Sequence, residues 1–211
     1  MIIAIDGPAA AGKGTLAKRL AAHFDLAFLD TGRLYRAVGY KILQAGGDPR
    51  DPQVAVAAAR ALDPANVETG DLYTETVAET ASVVAAFGEV RQELLSFQRN
   101  FARNPPGGKI GAVLDGRDIA SVVCPDATYK FFVTASPQVR AKRRYKELQE
   151  NGVESTYAAV LADIEQRDQR DRTRKVSPLK AADARVIDTS DKMPDAVFKE
   201  ALDHIEGERA N

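Results

Sequence analysis

Residues 2–15, "IIAIDGPAAAGKGT", decide the architecture. "IIAID" (Ile2–Asp6) is a short apolar run closed by Asp-Gly-Pro, the pattern of a buried strand running into a turn. "GPAAAGKGT" (Gly7–Thr15) follows as Gly-x4-Gly-Lys. Beyond it Leu16, Leu20 and Phe24 recur every four residues, as on the buried face of a helix. A glycine-rich loop between a strand and a helix is a phosphate cradle. Small residues let successive backbone N–H groups turn toward one anion, and the helix N-terminus adds partial positive charge. Gly14 stands where a Ser or Thr usually follows the lysine, with Thr15 one position later. The common hydroxyl ligand for Mg²⁺ is thus displaced, and the ion is expected to keep more of its waters.

Working outward, "LAFLD" (Leu26–Asp30) reads as a second buried strand and "LYRAVGYKILQA" (34–45) as a helix ended by Gly46-Gly47. "IGAVLD" (Ile110–Asp115), "TYKFFVT" (Thr128–Thr134) and "ARVIDTS" (Ala184–Ser190) supply three more strands. Apolar strands alternating with helices predict an α/β, three-layer fold around a five-stranded parallel sheet. Two regions depart from the alternation. Residues from about 48 to 104 carry helical patterns with no core strand, the only strand signal being "DLYTETV" (71–77). Residues 136–180 read as two basic helical arms joined at "ENGVES" (150–155), with Gly152 permitting the reversal.

The 211 residues suit one domain with inserted subdomains. Lys and Arg number 29 against 30 Asp and Glu, so no global field draws the chain toward nucleic acid or an anionic membrane. Anion binding must be local. Cys124, the only cysteine, excludes an internal disulfide and suits a reducing cytoplasm. "MIIAIDGP" lacks the basic start of a signal peptide, and no segment nears the roughly 20 apolar residues of a membrane span. A cytoplasmic monomer is the expectation.

Ligands of doubly wound sheets sit outside the carboxyl ends of the strands. Asp6, Asp30 with Thr31, and Asp115 with Arg117 and Asp118 all fall at that edge, and "IEQRDQRDRTRK" (164–175) adds a dense run of guanidiniums and carboxylates. In a helix, Arg167, Asp171 and Arg174 are spaced i, i+4 and i+7 and share one face, while Asp168 and Arg172 can pair elsewhere or simply be solvated. From the residues alone the reading stops at a P-loop phosphotransferase with an anionic acceptor. No GTPase switch or Asn-Lys-x-Asp segment occurs.

In order along nearly the whole chain, "IDGPAAAGKGTLAK", "LDTGRLYR", "ASVVAAFGEVRQELL", "LDGRDIASVVCPDA", "VRAKRRYKELQENG" and "RDQRDRTR" resemble the bacterial cytidylate kinase family. That resemblance implies a kinase of pyrimidine nucleotide metabolism passing the γ-phosphoryl of ATP, with Mg²⁺, to CMP or dCMP. It implies a nucleotide-monophosphate-binding insertion at about 31–104 and a lid at about 136–180. It assigns Gly7, Pro8, Ala9, Ala10, Ala11, Gly12, Lys13, Gly14, Thr15 and Arg140 to ATP. Thr31, Arg36, Ser82, Arg91, Asp115, Arg117, Asp118, Arg167, Asp171 and Arg174 go to the acceptor. Ser82, Arg91 and Asp118 would meet the cytosine edge, Arg167 and Asp171 the ribose, and Arg36 and Arg117 the acceptor phosphate. Lys13, Asp115, Arg117 and the lid arginines Arg143 and Arg144 would serve transfer itself. One departure is clear: "ANVETGDLYTETVAE" (65–79) stands where the family commonly carries a small β-rich subdomain. Two rivals stay open, a small P-loop kinase for UMP, AMP or a metabolite, and a nucleotide-binding module without catalysis.

Overall fold

The computed structural model describes residues 1–65, 67 and 72–209. Five strands form one parallel sheet: β1 (Ile2–Asp6), β2 (Ala27–Asp30), β3 (Ala112–Gly116), β4 (Tyr129–Thr134) and β5 (Arg185–Asp188), in the order β2-β3-β1-β4-β5. All five expected strands are present, β1 with the expected ends and the others within two residues of them. The glycine-rich loop leaves central β1 where the order reverses, so ligands meet there from both halves of the sheet.

The pleat explains the core. Ile3 and Ile5 of β1 point to one face, with Leu16 and Leu20 of α1 (Lys13–His23) and Val197, Ala201 and Ile205 of α8 (Pro194–Arg209). Ala4 points to the other, with Leu114, Ile119, Val123 and the partly buried Phe101. Helix α8, spaced i, i+4, i+8 in its buried residues, is an element the sequence reading did not name.

Between β2 and β3 the described residues form four helices: α2 (Thr31–Gln44), α3 (Pro52–Arg60), α4 (Glu75–Val84) and α5 (Gly88–Arg103). They enclose a second core of Leu34, Val38, Ile42, Val84, Val90 and Leu94. The strand signal at 71–77 is corrected here, apart from Asp71, which lies outside the described residues. Thr74 caps α4, its hydroxyl accepting from the Val77 N–H at 3.3 Å, and Glu75 to Val77 form the first helical turn. A capping hydroxyl and an acidic first turn outweigh the β propensity of Tyr73, Thr74 and Val77.

Helices α6 (Pro137–Glu150) and α7 (Tyr157–Thr173) make the basic pair, joined over Ala141, Leu148, Val160 and Ile164. Gly152 turns the chain at φ 71°. Helix α7 ends one residue before Arg174, whose φ of −59° and ψ of 141° leave the helix. The expected i+7 position on a helical face is therefore replaced by an extended residue.

Candidate active site

The loop conformation follows from its contacts. Gly7 has φ 149°, and a Cβ there would stand 1.9 Å from the Val133 carbonyl oxygen of β4. Ala10 (φ 57°) and Gly12 (φ 92°) are left-handed, turning the backbone into the start of α1. Lys13 folds back, its Nζ donating to the Pro8 carbonyl at 3.0 Å and lying 3.7 Å from Asp115 Oδ1. Burial, reinforced by Arg117, pushes the Lys13 pKa down to about 8. Burial also raises Asp115, against the pull of Lys13. A cramped cation beside a cradle of amides has the chemistry that suits a polyphosphate.

Two clefts open from this loop. The first, about 360 Å³, lies between Ala10–Gly12, Thr15 and Leu16, the α6 residues Arg143 and Arg144, and a wall of Thr189, Lys192, Met193, Pro194 and Val197. Arg143 donates to Thr189 Oγ1 (2.9 Å) and to its carbonyl (2.6 Å), and the Thr189 hydroxyl donates to the Ala11 carbonyl at 3.0 Å. Sequence reading missed this wall. The available signal was its place just past β5, at the ligand-binding edge of the sheet.

The second cleft, about 120 Å³, gathers Thr31, Arg36, Ser82, Arg91, Arg117, Asp118, Arg167, Asp171 and Arg174. Asp115 alone among the ten acceptor candidates stands beneath it, with Lys13. Thr31 donates to the Asp115 carbonyl at 2.8 Å. Asp6, buried at the end of β1, accepts from the Ile119 and Ala120 N–H groups, each at 2.8 Å, and so anchors the π-helical turn Ile119–Val123 directly behind Asp118. Burial raises Asp6 to about 6 despite those bonds. Asp118 pairs with Arg91 at 2.5 Å, Arg117 with Asp171 at 3.0 Å, and Asp171 with Arg174 at 3.4 Å. Arg170 of α7 donates to the Ser82 hydroxyl at 2.7 Å.

The charges of this cleft are incompletely matched. Among the described residues, the buried Nε of Arg91 and Nη2 of Arg174 have no hydrogen-bond partner. Burial lowers the pKa of both Arg36 and Arg174, with like charge from Arg91 adding to the strain on Arg174. Buried guanidinium donors left unpaired are costly, and an anionic or acceptor-rich ligand relieves them.

One expectation changes, and one left open is decided. Arg140, assigned to ATP by resemblance, is 1% exposed and lines neither cleft. Its guanidinium is taken up by protein acceptors, chief among them Asp168. Asp168 in turn takes the paired of its two expected states and not the solvated one: it is buried, because that guanidinium neutralises it.

The family model for cytidylate kinase matches residues 3–207. The cytidylate kinase of Paramagnetospirillum magneticum is 57% identical over 209 residues, covering 99% of each chain. That of Rhodospirillum rubrum is 55% identical over 96% of each. Among solved structures, an uncharacterized protein from Eubacterium ventriosum superposes at TM-score 0.57 and 15% identity, over 98% of both chains. The shikimate kinase of Bacteroides thetaiotaomicron does so at 0.52 and 13%, again over 98% of both. At such identities these two share the fold alone. The match of sequence along its full length is of a different order: the chain belongs to the cytidylate kinase family.

Proposed function

We propose that the chain transfers the γ-phosphoryl group of ATP to CMP and dCMP, giving ADP and CDP or dCDP. The observation that carries this is the Asp118–Arg91 pair, set in the second cleft with an Arg91 donor unspent. A carboxylate acceptor beside a guanidinium donor complements the cytosine edge, whose exocyclic amine donates and whose ring nitrogen accepts. Uracil presents the opposite order, an oxygen toward the carboxylate and an N–H toward the guanidinium. A site built for one order rejects the other because a buried group is left unpaired.

The remaining roles follow from charge and position. The loop amides and Lys13 hold the ATP phosphates, while Arg143 and Arg144 border the donor cleft and neutralise charge on the transferring group. Arg36 and Arg117 take the acceptor phosphate, and Arg167, Asp171 and Arg174 orient its ribose from the far wall. No strong general base is required, since a nucleotide phosphate with a second pKa of about 6 is already largely ionised. The hard oxygens of Asp115 and Thr15 suit Mg²⁺ that arrives hydrated on the nucleotide and supplies charge neutralisation there. Among the described residues no helix is long and apolar enough to cross a membrane. A reducing cytoplasm is the compartment we propose, from a chain with a single cysteine and no disulfide framework; burial holds that Cys124 thiol at about 11 and keeps it unreactive.

A coupled assay across CMP, dCMP, UMP and AMP tests the reading, with Arg167→Ala and Asp171→Ala alongside. CMP and dCMP should lead, and each substitution should raise the CMP KM by at least about tenfold while leaving the ATP KM in place. Turnover favouring AMP or UMP would replace cytidylate with another acceptor.

A further inference from the structure

Arg140 and Asp168 remain unexplained by that mechanism. Arg140 sits in the first turn of α6, and all three guanidinium nitrogens bond to protein. Nε donates to the Ala135 carbonyl at 2.9 Å. Nη1 donates to the Ala9 carbonyl at 3.2 Å and to Asp168 Oδ1 at 3.0 Å, and Nη2 to Asp168 Oδ2 at 2.5 Å. Helix capping does not need this arginine, because Ser136 already accepts from the Val139 N–H. Stability is not a sufficient reason for it either. A buried ion pair roughly breaks even against apolar residues of the same volume.

Its two ends, however, are in telling places. Ala9 borders the acceptor cleft and Ala10 the donor cleft, so the carbonyl that Arg140 grips belongs to the wall between them. Asp168 follows Arg167 directly and lies one turn before Asp171, which holds Arg117. Shifting Asp168 therefore moves the acceptor clamp relative to the phosphate loop.

We propose that Arg140 and Asp168 form a positioning pair that sets the span between the phosphate loop and the acceptor clamp. The proposal rests on the phosphotransfer reading above. In the productive step an oxygen of the CMP phosphate bonds to the γ-phosphorus, and the bond to the bridging oxygen breaks, ADP leaving with its electron pair. When the acceptor stands off, water attacks the same phosphorus instead, giving ADP, inorganic phosphate and a proton. A misplacement of about an ångström is enough to slow transfer on the order of a hundredfold. The distinguishing readout is thus the ratio of ADP to CDP formed in one reaction, which simple loss of folded protein does not change.

The experiment compares the wild-type chain with Asp168→Asn and with the double substitution Arg140→Met plus Asp168→Leu. The double variant removes both charges and avoids stranding a buried guanidinium, so it keeps the test open if the single variant unfolds. Both variants are expected to lower kcat for CDP by at least roughly tenfold, with both KM values within about threefold of wild type. The ADP:CDP ratio should climb from about one to about two or more. The double variant should melt near the wild-type temperature with the defect intact. Wild-type kcat and stoichiometry in a folded double variant would overturn the proposal. So would a rise of about tenfold in the ATP KM alone with the ratio unchanged, which would put Arg140 in contact with the donor nucleotide. A wild-type chain that forms no CDP defeats the phosphotransfer reading itself, and this inference with it.

Discussion

At the scale of single residues, Lys13 concentrates the electrostatic problem. Its pKa falls from 10.5 to about 8, chiefly by burial. Below about pH 8 the folded chain therefore carries a buried charge that disfavours folding in full. Between about 8 and 10.5 the unfolded chain binds more protons, and this penalty fades as pH rises. A triphosphate beside the ammonium reverses the shift, so ATP binding near pH 8 should take up protons, and affinity should fall as pH climbs past 8. Calorimetry in two buffers of different ionisation enthalpy measures that uptake. Lys13→Arg should abolish it, since guanidinium stays charged throughout, and a wild-type chain binding ATP with no uptake would contradict the assignment. Asp118→Asn makes a second test. It leaves Arg91 buried without its counter-charge, a loss of about 3–5 kcal/mol in stability. It also removes the acceptor for the cytosine amine, so kcat/KM should drop much more for CMP than for UMP. Lys13 was legible from the glycine-rich loop and Asp118 from its place just past a strand end, whereas Arg91, inside a helix, came only with the family resemblance. The Arg140–Asp168 bond was not, since neither residue's spacing says that the two meet across α6 and α7.

At the scale of elements, the phosphate loop depends on how closely β4 approaches it. Gly7→Ala forces a Cβ to within 1.9 Å of a backbone carbonyl, which no side-chain rotation relieves. Loss of ATP binding together with a melting temperature lowered by several degrees is expected, by titration and thermal unfolding. Strands β1, β2 and β3 were readable because each is a continuous apolar run ending in polar residues, the mark of a sheet covered on both faces, whereas Lys130 interrupts β4 and the edge strand β5 buries only Ile187. The segment at 71–77 misled because Tyr73, Thr74 and Val77 favour strands, whereas the Thr74 cap that decides for helix is a local bond of the folded backbone. The π-helical turn after Asp118 was beyond sequence reasoning. Its first two N–H groups are satisfied by Asp6, 113 and 114 residues away in the chain.

At the scale of the molecule, the question is what brings the basic arm over the cleft. Glu75, on the first turn of α4, accepts from Arg144 of α6 and, at 3.2 Å, from Arg167 of α7. One carboxylate thus ties both helices of the arm to the segment between β2 and β3, with Asp163 holding Arg167 from the other side at 2.9 Å. A partly exposed tie of this kind is weak, about 0–1 kcal/mol per pair, and is screened by salt over a Debye length of about 10 Å at 0.1 M. That weakness suits the proposed role of the arm as a lid that opens to release product, while bound nucleotides can tie the same arginines more strongly, Arg144 through phosphate and Arg167 through the ribose. Glu75→Gln should therefore speed amide hydrogen exchange across residues 145–160 by a few-fold in the nucleotide-free protein. Half-molar salt should do the same to the wild type. Saturation with CMP and a non-hydrolysable ATP analogue should slow exchange in both proteins to a common level, because the nucleotides then supply the contacts that Glu75 no longer makes. Exchange in the arm that ignores the substitution, the salt and the nucleotides alike would mean α6 and α7 are held by their own core, with no part in closing the cleft.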